Sequence, residues 1–225
     1  MKEKIDIYSF VYKNKNTEYV KKIFDLFKKD MGIKGNVSMS SLMNWFVEWI
    51  RFNKDMSREF ARQIDDNFVV LPSKVTEVGK GELDTISSSL LERGYDVMAI
   101  SPYAYNSDNE VHLVQGNLDY SMGEGLVLSK DKITPLTDIT TDTFITTLPV
   151  DDRTINAMIR CANNGYNCLI GSYNEKGYGN YRDTIERLAS LKEYIKNQSD
   201  LKMTVYDNNI GSQYYNAVYV KGRYK

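Results

Sequence analysis

Gly94-Tyr95-Asp96-Val97-Met98-Ala99-Ile100-Ser101-Pro102-Tyr103 has a counterpart 71 residues further on, Gly165-Tyr166-Asn167-Cys168-Leu169-Ile170-Gly171-Ser172-Tyr173-Asn174. Each stretch follows an amphipathic helical pattern, turns at a glycine, runs as a short apolar strand and stops at serine and tyrosine. A glycine just past the last periodic apolar residue is the usual end of a helix, because that position takes a positive φ. A short, bounded apolar run then reads as a buried strand. The expected fold is therefore α+β: a mixed β-sheet with packed helices, two helix–Gly–strand half-repeats and an N-terminal helical segment. The chain divides into 1–72, a strand plus helices, and 73–225, an α/β region. That region holds the two related units, 73–150 and 151–225, and is compatible with one continuous domain.

Upstream, Ile5 to Val11 is β-rich and reads as a strand. Thr17 is placed to cap a helix carrying Val20, Ile23, Phe24, Phe27 and Met31 inward, with Gly32 at its end and lysines outside. Ser40 or Ser41 starts a second helix with Leu42, Trp45, Phe46, Trp49 and Ile50 on one stripe. Both tryptophans of the chain fall there and read as core anchors. Asn53-Lys54-Asp55 reads as a turn before a third helix through Phe60 and Ile64. Two helices across a short turn invite a helix-turn-helix reading, with Arg51, Lys54, Arg58 and Arg62 toward phosphates. Interleaved Glu48, Asp55, Glu59, Asp65 and Asp66 favour a plain helical layer. Lys74 to Leu83, broken by glycines and lysines, reads as a connector.

Between the repeats, Val111–Val114, Leu126–Leu128 and Ile133 onward are short strands about ten residues apart, which suggests antiparallel hairpins. Thr137–Thr147, rich in threonine, reads as an edge strand. After the second repeat come a long helix from Tyr181 and a terminal hairpin, Leu201–Tyr206 with Tyr215–Lys221.

Composition bounds the class. The chain has 225 residues, 42% hydrophobic and 26% charged, with a net charge of −1. That is enough chain for a real core without staples. Residues 1–74 carry 14 Lys/Arg against 10 Asp/Glu, and residues 75–225 carry 15 against 20. No apolar run approaches the length of a membrane span and no signal-peptide pattern opens the chain, so the cytoplasm is the expected compartment. Cys161 and Cys168 read as small buried residues.

The motif search assigns no catalytic residue, no metal ligand set and no cofactor. Zinc sites need His/Cys clusters, and His112 is the one histidine. No Walker or dinucleotide glycine loop is recognised. Asp183, Asp200 and Lys202 offer a D…D-x-K pattern suited to metal-dependent hydrolysis, and Glu110, Asp119 and Glu124 form a second acidic group. The loops after the repeated strands are the better candidates. Loops beyond strand C-termini gather at one edge of a helix-backed sheet. With the two strands side by side, Ser101, Tyr103, Tyr105 and Asn106 would meet Ser172, Tyr173, Asn174 and Tyr178, with Arg182 close by. Tyr, Asn and Ser are favoured in recognition surfaces.

The function expected is a non-enzymatic binding protein of phage or mobile-element type. It would take a protein partner through these loops, with nucleic acid as a second partner class through the basic N-terminal segment. The alternative is a metal-dependent hydrolase or nuclease using acidic residues.

Overall fold

The computed structural model describes residues 18–35, 37–67, 74–79, 85–101, 111–120, 125–129, 132–139, 141–147, 152–173, 181–197, 204–208 and 215–221. The expected strand at 5–11, the Thr17 cap and the loops at 102–109 and 174–180 lie outside them.

Two helices come first, α1 (Glu18–Asp30) and α2 (Met39–Asn67). Ser38 caps α2: its Oγ accepts the Ser41 amide at 3.2 Å, so the cap stands before both Ser40 and Ser41, which lie inside the helix. The expected turn at 53–55 is absent, and α2 runs unbroken through it. Neither Gly nor Pro stands there, and Asn, Lys and Asp cost a helix only tenths of a kcal/mol, roughly, against better formers. Ion pairs at i,i+3 flank the site of that turn, Glu48 to Arg51 before it, and Asp55 to Arg58 and Glu59 to Arg62 after it. The helix-turn-helix reading falls with the turn.

Phe24, Phe27, Phe46 and Trp49 pack as an aromatic cluster between α1 and α2. Trp49 is 5% exposed, but Trp45 is 46% exposed. Only one tryptophan is therefore a core anchor, because the stripe that meets α1 centres on Phe46 and Trp49.

The rest alternates strand and helix. β1 (Lys74–Val78), α3 (Thr85–Leu91), β2 (Asp96–Ser101) and β3 (His112–Gln115) come first. Then follow β4 (Asn117–Asp119), β5 (Leu126–Leu128), β6 (Ile133–Pro135) and β7 (Thr143–Thr147). The last elements are α4 (Asp152–Asn163), β8 (Asn167–Tyr173), α5 (Tyr181–Asn197), β9 (Thr204–Asn208) and β10 (Tyr215–Lys221).

Among the described residues seven strands form one sheet in the order β3-β2-β1-β7-β8-β10-β9. β3, β2, β1, β7 and β8 pair in parallel, and β10 runs antiparallel to both β8 and β9. The sheet is thus mixed, as expected, but mostly parallel. β1 is an interior strand, flanked by β2 and β7, in a segment read above as a connector. β3 belongs to this parallel sheet rather than to a hairpin. Only β4, β5 and β6 form the expected antiparallel unit, a separate three-stranded sheet. β7 is central, not an edge. Thr143 and Thr146 are buried, and the Thr146 hydroxyl donates to the Val78 carbonyl at 2.7 Å.

The two crossovers step outward from the centre in opposite directions, β1-α3-β2 one way and β7-α4-β8 the other. A right-handed crossover then places α3 and α4 on opposite faces. The cores agree. Val75, Val97, Ala99, Ile145 and Leu169 pack with Phe60 of α2 and Leu90 of α3. On the other face Val78, Ile100, Phe144 and Ile170 pack with Met158 of α4 and Leu188 of α5. Helices on both faces of a mostly parallel sheet make this a doubly wound α/β architecture.

Both repeated turns have the same geometry. Gly94 and Gly165 take φ of 85° and 98°. Tyr95 N donates to Leu90 O and Tyr166 N to Cys161 O, the six-to-one bond of a Schellman motif. Ile33 N donates to Lys28 O after Gly32 in the same way. The shared turn is therefore a general solution to ending a helix.

Candidate functional site

In an open doubly wound sheet, ligands settle outside the carboxyl ends of the strands where the strand order reverses. Here that point lies between β1 and β7. β1 is buried from Val75 to Val78, and the chain surfaces at Gly79. Gly79 has a φ of 74°, a left-handed conformation that a glycine takes without steric cost.

Both neighbours hold this exit in place. Gly79 N donates to Ile100 O of β2 at 2.9 Å. On the β7 side, Thr146 Oγ1 holds the Val78 carbonyl. One residue back, Glu77 is buried at 6% exposure. Its carboxylate accepts the Ser87 amide at 3.0 Å and the Ser87 hydroxyl. The first turn of α3 is thereby tied to the strand that precedes the glycine turn, and a carboxylate beside a helix N-terminus is favoured by the helix dipole.

The sequence here is Glu77-Val78-Gly79-Lys80-Gly81-Glu82-Leu83-Asp84. It supplies the first two glycines of the strand–turn–helix pattern used to seat dinucleotides, with Asp84 where the third would stand. From sequence, Glu77, Gly79 and Ser87 do not stand out, because the glycines and lysines of Lys74–Leu83 make that segment read as a connector. The signal available was the β-branched set Val75, Thr76 and Val78, followed at once by Gly-x-Gly and a helical pattern.

β2 and β8 are not neighbours, since β1 and β7 lie between them. Their C-terminal ends stand about 14 Å apart at ordinary strand spacing. Ser101 closes β2 and is 1% exposed. Ser172 and Tyr173 close β8, paired with Asn216 and Tyr215 of β10. Arg182 lies in the first turn of α5. Tyr103, Tyr105, Asn106, Asn174 and Tyr178 lie outside the described residues. The two loops thus spring from one edge of the sheet but do not meet as neighbours.

A second hollow, about 610 Å³, lies between β4 and α4 and is walled by Asp119, Arg153, Arg160 and Tyr194. Its arginines are committed. Arg153 pairs with the buried Asp119, and Arg160 donates to the Tyr120 carbonyl at 2.8 Å. These contacts fasten the small sheet to α4. Beneath them burial pushes the Tyr120 hydroxyl above its ordinary range, with Cys161 adding to the shift. Burial also pushes the Cys161 thiol up to about 12 and the Cys168 thiol well above its usual value. Both are free buried thiols, as expected.

Among the described residues no group of His, Cys, Asp and Glu is arranged to hold a metal ion, and no helix is long and apolar enough to cross a membrane. His112 is exposed on β3. Asp200 and Lys202 lie outside the described residues.

No protein-family model matches the chain, and no curated protein does. Solved structures do resemble it. The glycopeptide N-methyltransferase MtfA, complexed with S-adenosyl-L-methionine, is 11% identical with a TM-score of 0.45, over 74% of this chain and 94% of that one. The plantazolicin methyltransferase BpumL, in complex with SAH, is 14% identical with a TM-score of 0.44, over 92% of each chain. The 1,6-didemethyltoxoflavin-N1-methyltransferase of Burkholderia thailandensis is 14% identical with a TM-score of 0.42, over 85% and 94%. At these identities the likeness is one of fold.

The functional expectations change here. The chain is not read as a non-enzymatic binding protein of phage type, nor as an acidic metal hydrolase or nuclease. A glycine turn stands at the switch point of a doubly wound sheet, the place where such sheets seat a ligand.

Proposed function

We propose that this chain is an S-adenosylmethionine-dependent methyltransferase whose cofactor seats at the C-terminal edge of β1. The observation that carries the reading is the Glu77-Val78-Gly79 exit: a positive-φ glycine, braced by β2 and β7, at the point where strand order reverses. The residues present fit a nucleoside cofactor. Gly79 lets backbone approach a ligand closely, and Glu77 fixes the helix that begins beyond the turn. When bound, S-adenosylmethionine supplies a methyl group on a sulfonium, open to attack by an acceptor nucleophile.

The chain following β2 and β8 leaves the same edge of the sheet. The tyrosine- and asparagine-bearing positions after them, Tyr103, Tyr105, Asn106, Asn174 and Tyr178, with Ser172, Tyr173 and Arg182, are proposed to receive the acceptor. The wide separation of β2 from β8 supports a site spanning the β1/β7 gap rather than a single loop cluster.

Calorimetry with S-adenosylhomocysteine tests this directly. Saturable binding is expected, with a rise in melting temperature, since a ligand at a hundred times its Kd adds about 2.7 kcal/mol to stability. Gly79→Val should abolish it. A flat titration at millimolar ligand with folded protein would sink the proposal.

A further inference from the structure

We infer that the hollow between β4 and α4 is a binding site for a phosphate-bearing small molecule, held by Arg153 and Arg160. The hollow shares no described residue with the Gly79 exit, so this site stands apart from the cofactor reading.

The bonds that commit the two arginines to the small sheet also aim them. Arg153 and Arg160 lie on one face of α4, two helical turns or about 10.5 Å apart. Their guanidinium groups nevertheless converge. Arg153 meets the Asp119 carboxylate through Nε and Nη2, and Arg160 Nη1 donates to the carbonyl of the next residue, Tyr120, at 2.8 Å. Consecutive Cα atoms are about 3.8 Å apart, so two cations that start far apart on the helix are drawn to neighbouring residues.

The charges there do not balance. Asp119 is the one carboxylate among the described walls, against two guanidinium groups. It pairs with Arg153, while Arg160 is met by a neutral carbonyl. Adjacent like charges oppose each other, and an anion seated between them relieves that repulsion. Arginine offers its N–H donors in a fixed fork. Those not used on the small sheet, at Nη1 of Arg153 and at Nε and Nη2 of Arg160, belong to exposed residues.

A phosphate suits them better than a carboxylate. A carboxylate is filled by one guanidinium fork, whereas a phosphate presents oxygens on several sides and accepts from two guanidinium groups at once. Asn156 stands between the arginines on the same exposed face and adds an amide donor. Tyr194 of α5, 47% exposed, supplies an aromatic wall. The volume of about 610 Å³ falls in the range of small-molecule pockets and exceeds what a bare phosphate fills. The ligand is therefore an organic phosphate, with Tyr194 beside its organic part.

The test is isothermal titration of the full chain with phenyl phosphate and with inorganic phosphate, in chloride buffer of matched ionic strength. Saturable binding is expected for both, tighter for phenyl phosphate. Arg160→Gln, which removes an exposed cation tied to a neutral carbonyl, is expected to weaken phenyl phosphate about tenfold or more. Arg187→Gln, in the neighbouring groove between α4 and α5, is expected to leave it unchanged. No saturation with either ligand at millimolar concentration overturns the inference. So does equal weakening by both variants, which would mark general surface charge, or no weakening by Arg160→Gln. Acetate binding as tightly as inorganic phosphate overturns the phosphate assignment. Should Arg160→Gln fail to fold, Asn156→Ala is read in its place: a loss of about threefold is expected, and an unchanged affinity overturns the site.

Discussion

The carboxylate of Glu77 in β1 accepts hydrogen bonds from both the amide and the hydroxyl of Ser87, two residues into α3. A strand and the helix ten residues later are thus joined by one buried side chain across the glycine turn. Removing a donor from a buried carboxylate costs about 1–3 kcal/mol. Ser87→Ala should lower the urea midpoint by that equivalent with an unchanged m-value. An unchanged midpoint would mean that the contact contributes nothing.

The hydroxyls of Thr76 and Thr143 are buried in the middle of the sheet with no hydrogen-bond partner. Both belong to parallel strands of high β-propensity, where valine has the same shape. Thr76→Val removes an unsatisfied polar atom, so it should be neutral or stabilising by up to about 1 kcal/mol. Chemical denaturation decides the sign, and a clear loss would count against an orphaned hydroxyl at this position.

Gly171 lies under the ring of Phe60. A Cβ there would meet the Phe60 ring carbons at 3.0 and 3.1 Å and Thr147 Cγ2 at 3.4 Å. Phe60 is fully buried and cannot swing into solvent. Gly171→Val should therefore destabilise by about 1–3 kcal/mol through overpacking, whereas Gly171→Ala asks only a few tenths of an ångström from the ring. Comparing the melting temperatures of the two variants checks this. Equal effects would show that α2 shifts freely over β8.

The buried thiols give a pH signature. The Cys161 pKa rises from 9.0 to about 12 on folding because burial disfavours the thiolate. Above pH 9 the unfolded chain releases that proton and the native protein keeps it, so the native state binds more protons and stability falls as pH rises. The window runs from about pH 9 to 12 for this group, and Cys168 shifts in the same direction. Urea midpoints should drop between pH 8 and pH 10. In the native protein neither thiol should react quickly with a disulfide reagent, while both should react in denaturant. Replacing both with alanine should flatten the alkaline slope.

The periodic elements were legible in the chain. α1 and α4, the strands β2, β8 and β10, and the glycine ends at Gly32, Gly94 and Gly165 follow from apolar spacing and from the φ that a helix terminus demands. These are local properties, settled within one or two turns of chain. The unbroken run of α2 through Asn53-Lys54-Asp55 was also a local matter, misread because polar residues were taken for a turn where neither Gly nor Pro required one.

What the chain carried locally was a set of helices and strands with their ends; their order in space came from elsewhere. Thr143–Thr147 looks like an exposed edge until β1 and β8 flank it and the Thr146 hydroxyl turns to the Val78 carbonyl. Lys74-Val75-Thr76-Glu77-Val78 looks like a connector until Ser87 comes round to take the charge of Glu77. Each of these segments carries polar atoms that only partners distant in the chain can satisfy, so local pattern assigns them to the surface. The switch point between β1 and β7, which gathers the candidate site, exists only once two right-handed crossovers have wound the sheet in opposite directions, because handedness acts on whole strand–helix–strand units and not on any stretch of residues.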